Sequence, residues 1–369
     1  MSAPNRRVLQ IVPRVPGTLD GVGDYALNLA TALLTGHNIS TLFAVAKETS
    51  ATAKDGFEVI AGLDEDSVDS LARQCDHVIL HYVNYGYQAR GVPFYLRRFA
   101  RKLREKIHGR WLTNFHELYA SGPPWRSAFW LRPMQVTIAR DLIDISDACF
   151  VSNRTIEKEI QGYDPAKKIY RAPVMSNFGE PELIDFSAAS PKHWTICGGT
   201  ALVARSLISF RRMRDAIPAA FAPAQLDIIG GRDNAETRAL IAALAGDTSG
   251  LSCSYHPEVS AERASELLRQ CSFAWLDYFG TGKVWPEMIL KSGVFAACCA
   301  HGVVPVLSHQ EEAFALEGDP VPGPFFMTPR GTYFPPPDAL RATRQEIHAW
   351  YHAHAASQRL AQIYAEALA

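Results

Sequence analysis

Short apolar runs alternate with segments of helical period along the whole chain. In the first half, residues 8–12, 39–45, 57–60, 77–82, 110–115 and 148–151 are strand-length runs bounded by glycine, proline, asparagine or charged turns. Between them apolar positions recur every three or four residues over 25–34, 64–74, 93–107, 129–145 and 154–161, the spacing of one buried helix face. A polar stretch at 175–192 interrupts the rhythm, which then restarts. Strands are expected at 194–197, 226–229, 251–255, 273–276 and 303–307, with helices at 201–213, 234–245, 260–270 and from Gly293 to a glycine stop at Gly302. Residues 309–337, rich in proline, glycine and charge, read as a loop, and 344–368 as one long amphipathic helix. Two such alternations joined by a linker predict an α/β chain of two Rossmann-like doubly wound domains facing across a cleft.

Lysine plus arginine number 37 against 38 acidic residues, a formal net charge of -1, so nothing draws the chain as a whole to a polyanion and no nucleic-acid partner is expected. Seven cysteines without regular spacing suit a reducing compartment, with Cys298 and Cys299 as small core fillers. Arg6 and Arg7 come almost at once and the first apolar run spans only 8–12, which is too short for a signal segment or a membrane span; a cytoplasmic location is expected. One helix leaves peripheral contact with the inner face of the cell membrane open. Over 93–107, Arg97, Arg98, Arg101, Lys102, Arg104 and Lys106 interleave with Phe94, Tyr95, Leu96, Phe99 and Leu103. A solvated helix face is the alternative. Asp64, Glu65 and Asp66 read as a helix start, and no carboxylate cluster suits a divalent ion, so neither metal nor cofactor is expected.

In an open α/β sheet, ligands bind beyond the carboxyl ends of the strands, and the candidate chemistry gathers there. After the first strand, Gly21, Val22 and Gly23 lie in a glycine loop that lets backbone approach a phosphate, or serves only a tight turn. The strand at 77–82 ends in His81 and Tyr82, followed by Asn84, Tyr85 and Tyr87, groups that suit a sugar ring or a protein interface. The strand at 110–115 delivers His116 and Glu117, neighbours that point opposite ways. His116 is the favoured catalytic or substrate-binding group of this half, a hydrogen bond to a loop carbonyl being its plainer use. In the second half, Lys291, Ser292, Gly293 and Val294 open a helix of small residues. Ser292 is placed as its N-cap, and bare first-turn amides beside a lysine suit a diphosphate; a cap with Lys291 turned to solvent is the alternative. Gly199 and Thr200 follow the first strand of this half, Arg205 lies in the next helix, and Lys283 and Glu287 precede the small-residue helix. Glu311 stands where ribose or substrate hydroxyls could be read, or in an exposed turn.

Taken in order, Gly21-Val22-Gly23 with residues 24–30, Gly36-His37, His116-Glu117, Cys197-Gly198-Gly199 with Arg205, Ile229-Gly230-Gly231, and the stretch from Lys291-Ser292-Gly293 through Gly302 to Val306 give the chain a resemblance over nearly its whole length. It resembles the retaining nucleotide-sugar glycosyltransferases of the two-Rossmann-domain (GT-B) type, in particular the large bacterial group 1, or family 4, that builds polysaccharides and glycolipids. The resemblance implies an acceptor-side domain at 1–180, a nucleotide-sugar donor domain at 190–340, and a terminal segment, 341–369, returning to the first. It implies a metal-independent hexosyltransferase that moves a sugar from a nucleoside-diphosphate sugar to a saccharide or lipid-linked saccharide, with attack on the face of departure and no protein nucleophile. His116, Arg205 and Lys291 would be its catalytic groups, His116 contacting the transferring sugar or the acceptor. The family's basic pair after the first strand of the second domain corresponds to Thr200 and Arg205 here, and its two glutamates to Ile289 and Ala297. These departures keep open a sugar-nucleotide epimerase or hydrolase, and a non-catalytic pair of domains that binds a nucleotide sugar or a partner protein.

Overall fold

Seven strands build the first sheet: β1 (Arg6–Val12), β2 (Ile39–Val45), β3 (Glu58–Ala61), β4 (His77–Tyr82), β5 (Trp111–Phe115), β6 (Ala148–Val151) and β7 (Ile169–Arg171). They run parallel in the order β3-β2-β1-β4-β5-β6-β7, so the strand order reverses beside β1. All five positions of β5 are buried, the pattern of a central parallel strand covered on both faces. The computed structural model describes residues 6–15, 21–46, 55–120, 122–247, 250–278, 286–308, 325–328, 331–332 and 334–369. It divides into two units, Met1–Pro173 with Ser357–Ala369, and Val174–Ala356.

The helices of the first unit are α1 (Gly21–His37), α2 (Val68–Gln74), the single turn α3 (Asn84–Tyr87), α4 (Phe94–Lys106), α5 (Ser127–Ile145) and α6 (Arg154–Tyr163). Gly21, Val22 and Gly23 form the first turn of α1 instead of a loop, because the buried face of Tyr25, Ala26, Leu29 and Leu33 extends back to Gly23. The cations of α4 are held by carboxylates of the same unit. Arg97 and Arg101 pair with Asp141, Arg98 and Lys102 with Glu65, Lys106 with Asp69, and Arg104 with Asp147. The face that reads as membrane-seeking from its cations alone is therefore largely neutralised by α2, α5 and the turns beside them.

The second unit repeats the plan with β8 (His193–Cys197), β9 (Gln225–Ile229), β10 (Ser252–His256), β11 (Phe273–Leu276), β12 (Val304–Ser308), β13 (Phe325–Thr328) and β14 (Gly331–Thr332), in the order β10-β9-β8-β11-β12-β13-β14. Only the last pair, β13 and β14, is antiparallel. These two strands fall where the sequence reads as loop, since five or fewer residues between prolines carry no usable period. Helices α7 (Thr200–Met213), α8 (Ala235–Gly246), α9 (Ala261–Gln270), α10 (Gly293–Ala300) and α11 (Leu340–His354) complete it around a core that includes Trp194, Phe210, Phe273 and Trp275. Among the described residues, Asn153, Asn234, Ser260 and Ser292 each cap a helix by accepting a first-turn amide.

The stretch 344–368 is two helices, not one. Ala355 and Ala356 both donate their amides to the Tyr351 carbonyl, ending α11, and α12 (Ser357–Leu368) begins afresh. Helix α12 packs on α1 within the first unit: the Tyr364 and Tyr25 hydroxyls are 3.5 Å apart, Gln358 Nε2 donates to Thr35 Oγ1 at 3.2 Å, and the Tyr364 ring stacks 3.8 Å from Phe150. Among the described residues no helix is long and apolar enough to cross a membrane.

His301, at the end of α10, yields a pH prediction. Its Nδ1–H donates to the Ala297 carbonyl at 2.8 Å and its Nε2 accepts the Ser265 hydroxyl at 2.7 Å, which needs the neutral ring. Burial, only partly opposed by the Ala297 bond, lowers its pKa from 6.5 to about 4. The unfolded chain thus takes up a proton that the folded chain refuses. Stability from this group is full above pH about 6.5 and is lost as pH falls toward 4, at about 1.4 kcal/mol per pH unit. Thermal unfolding followed across this range should show a shallower decline in His301→Gln than in the parent; equal slopes would contradict the assignment.

Candidate functional site

In the first unit the functional side chains converge past the carboxyl ends of β4 and β5. His81 on β4 is paired in register with Asn114 on β5, and the His116 amide donates to the Tyr82 carbonyl at 3.0 Å, which fixes where the chain leaves the sheet. Gln10 on β1 donates its amide to Thr41 Oγ1 at 3.3 Å and presents Oε1 to His81 Nε2 at 2.7 Å. His81 is fully buried, and burial, with His116 adding to it, holds its pKa well below the ordinary value. The ring is neutral with its proton on Nε2, so Nδ1 accepts from His116 Nε2–H across 3.3 Å. The rings of His81 and His116 stack at 5.6 Å, and Tyr25 meets both edge-on, at 5.7 and 5.2 Å. His116 is thereby oriented from three strands and one helix.

Tyr25 lies one turn beyond Gly21–Gly23, so the amino terminus of α1 ends beside these rings. A Cβ at Gly21 would meet nothing within 4 Å, leaving that turn open to a ligand. Desolvation raises the Tyr25 pKa to about 12. The Tyr82 hydroxyl is buried without a partner among the described residues; burial, and then the Glu117 carboxylate, push its pKa up. His81, Tyr82, His116 and Glu117 therefore share one neighbourhood. Gln10 and Tyr25 are the members that sequence reasoning passed over. Only the parallel pairing of β1 with β4 identifies Gln10, a polar residue in the middle of an apolar strand.

In the second unit two glycine turns pack backbone against backbone at the ends of β8 and β9. Gly198 has φ +134 and Gly230 φ +90, and a Cβ on Gly230 would lie 2.7 Å from the Gly198 carbonyl oxygen. Thr200 opens α7, and its Oγ1 accepts the Arg232 amide at 2.9 Å. At the position where the resemblance places a basic residue, threonine ties in the neighbouring turn and brings the exposed Arg232 to the start of α7. A cation directly after a strand-ending Gly-Gly was the signal to read.

Helix α10 starts against the same turn. The Val294 side chain would be 3.1 Å from a Cβ on Gly198, and the Asn177 amide 3.2 Å from one on Gly293. Ser292 Oγ accepts the Phe295 amide at 3.2 Å, leaving its hydroxyl proton to donate elsewhere. Lys291 is half-buried just before it. Arg205, exposed on α7, donates Nη2 to the Asp277 carbonyl at 3.2 Å, immediately past β11. Asp277 is buried, its pKa raised by desolvation, and its Oδ1 has no partner among the described residues. Gly199, Thr200, Arg205, Ser292, Gly293 and Val294 thus lie along one sheet edge. Lys283, Glu311 and the Glu287 side chain lie outside the described residues. Ile289 and Ala297 are fully buried in apolar core, which leaves no polar role at either position.

His193, Asp227 and Cys271 also converge, toward the amino ends of β8 and β11. Asp227 Oδ2 accepts His193 Nε2 at 2.7 Å, and the Arg344 guanidinium sits alongside, donating to the Cys271 carbonyl at 3.1 Å. This is a hydrogen-bonded acid–imidazole pair next to a resident cation, a setting that disfavours a metal ion.

No protein-family model matches this sequence, and no curated protein does. Solved structures do match. An alpha-glucosyltransferase in complex with UDP and a 13-mer DNA containing an HMU base aligns with 98% of this chain and 99% of its own, at 12% identity and TM-score 0.58. An alpha,alpha-trehalose 6-phosphate synthase from Burkholderia multivorans covers 98% of each chain at 12% identity and TM-score 0.59. The lipopolysaccharide outer core galactosyltransferase WaaB, in its apo form, covers 98% of each at 13% identity and TM-score 0.54. At such identities the common property is the fold, the two Rossmann-like domains of GT-B glycosyltransferases.

Proposed function

We propose that this chain is a retaining, metal-independent glycosyltransferase that moves a hexose from a nucleoside-diphosphate sugar to a saccharide or lipid-linked saccharide. The observation that carries the reading is the edge of the second sheet, where two packed glycine turns, the starts of α7 and α10, and Arg205, Arg232 and Lys291 gather amides and cations. A departing nucleoside diphosphate accumulates negative charge, and donors already fixed in place stabilise it. The C1–O bond to the diphosphate breaks, an acceptor hydroxyl oxygen bonds to C1 on the same face, and its proton leaves with the diphosphate. His116, its tautomer set through His81 and Gln10, contacts the sugar or the acceptor. The solved neighbour that holds UDP supports the donor class, and the lipopolysaccharide galactosyltransferase supports the acceptor class. The DNA in one neighbour makes nucleic acid an acceptor to test, and a net charge of -1 argues for saccharide instead.

A panel of nucleoside diphosphates tested by thermal shift should give one selective stabiliser, by about 2.7 kcal/mol at a hundredfold excess over its Kd. Transfer of labelled sugar from the matching donor to an added acceptor then tests the reaction. The apolar burial of positions 289 and 297 favours a second reading, nucleotide-sugar binding without turnover. Selective binding with no product from any acceptor would favour that reading over ours.

A further inference from the structure

We propose that the segment from Pro123 to Met134 is an interfacial anchor, which places its aromatic side chains in the headgroup layer of an anionic lipid bilayer. The inference rests on surface chemistry of the first unit and stands apart from sugar transfer. Trp125 is 83% exposed, Trp130 68%, Phe129 44% and Met134 38%. The first two turns of α5 bury no residue, and its buried face begins at Gln135. A water-facing helix start of a soluble protein carries polar residues there; this one carries Phe129, Trp130 and Met134, with Trp125 just ahead of its cap.

The patch is held in shape. Trp130 Nε1 donates to the Pro124 carbonyl at 2.7 Å, and Phe129 meets Trp130 edge-to-face at 5.3 Å. Gln135 secures the base, accepting the Ala120 amide at 2.9 Å and donating to the Arg90 carbonyl at 3.1 Å. The segment's own charge has one sign: from Leu118 to Arg140 there is no aspartate or glutamate, while Arg126, Arg132 and Arg140 are exposed; from α6, Glu159 faces Tyr119 and Arg132, leaving Arg126 and Arg140 outside its reach. Tryptophan at headgroup depth with arginines beside it complements anionic lipid. No carboxylate or side-chain amide lies between Leu118 and Met134 to read the hydroxyls of a saccharide. The cations of α4, by contrast, already have carboxylate partners. Because the segment follows His116 by only a few residues, an acceptor carried on lipid would arrive near that histidine.

The test is co-sedimentation of the full chain with vesicles of phosphatidylcholine alone and of phosphatidylcholine with about 30% phosphatidylglycerol. The parent chain should sediment with the anionic vesicles, and Trp125→Ser with Trp130→Ser should reduce binding by about tenfold or more. Arg98→Gln on α4 should leave it unchanged. Both side chains replaced are exposed, and an unaltered unfolding midpoint shows that the double variant folds. Failure of the parent to bind anionic vesicles, or equal binding by the double variant, overturns the proposal. So does a concentration-dependent dimer in light scattering that the same double substitution abolishes, which would assign the patch to a second copy of the chain.

Discussion

Arg205→Ala is expected to slow sugar transfer by about 10²–10³-fold, the loss typical of removing one fixed donor from a developing anion. The guanidinium stands exposed at the edge of the second sheet with one of its five N–H groups on the Asp277 carbonyl, so donors remain for a phosphate oxygen. Its contribution grows as the leaving group gains charge, so the loss should appear in kcat/KM and persist at saturating donor. Arg205→Lys keeps a charge but not the planar fork, and should recover only part of the rate. Arg232→Ala, removing a cation that bonds to Thr200 only through its backbone, should weaken nucleoside-diphosphate stabilisation in the same thermal-shift assay. Unchanged turnover in Arg205→Ala would mean that this residue serves only to tie α7 to the end of β11.

Arg344→Ala should destabilise the second unit by about 3–5 kcal/mol, enough to dominate any other single change in it. Arg344 is 1% exposed, and its pKa is lowered to about 10 by burial. Nε donates to the Gly302 carbonyl at 2.8 Å, Nη1 to the Phe186 carbonyl at 3.3 Å, and Nη2 to the Cys271 carbonyl at 3.1 Å. Truncation leaves two buried acceptors, the Gly302 and Cys271 carbonyls, a part-buried one at Phe186, and a void beside the Phe186 ring. Gly302 itself has φ +58, and a Cβ there would lie 2.4 Å from that ring, so no side chain can be added at this turn. Urea unfolding followed through the tryptophans of this unit measures the effect, and a loss below about 1 kcal/mol would contradict it.

Much of this architecture was legible in the sequence because central parallel strands, covered on both faces, are mostly apolar along their length. The bounds of β2, β4, β6 and β11 coincide with their apolar runs for that reason. Helix caps were legible too, as at Asn153 and Ser292, where a short polar side chain precedes an apolar period. The β13–β14 pair was hidden, being short and set among prolines. The bounds of α1 were hidden because glycine reads equally as a loop or as an open first turn. Of the candidate site, the strand-end residues His81, Tyr82 and His116 stood out, whereas Gln10 acts across strands far apart in sequence and Arg232 is placed by a hydrogen bond from its turn to the start of α7. Charge on α4 left two readings open for the same reason: its carboxylate partners lie outside the helix that carries the cations.

The return of α12 to α1 sets an order for synthesis. About 180 residues of the second unit are translated between Pro173 and the helix that completes the first. At typical elongation rates this is a wait of about 10–40 s. Throughout it the nascent first unit lacks the Tyr364 ring that stacks on Phe150 and the helix that covers Tyr25. Until α12 is made, that strip has no cover from its own chain, and deletion of α12 is expected to leave it exposed in the finished protein.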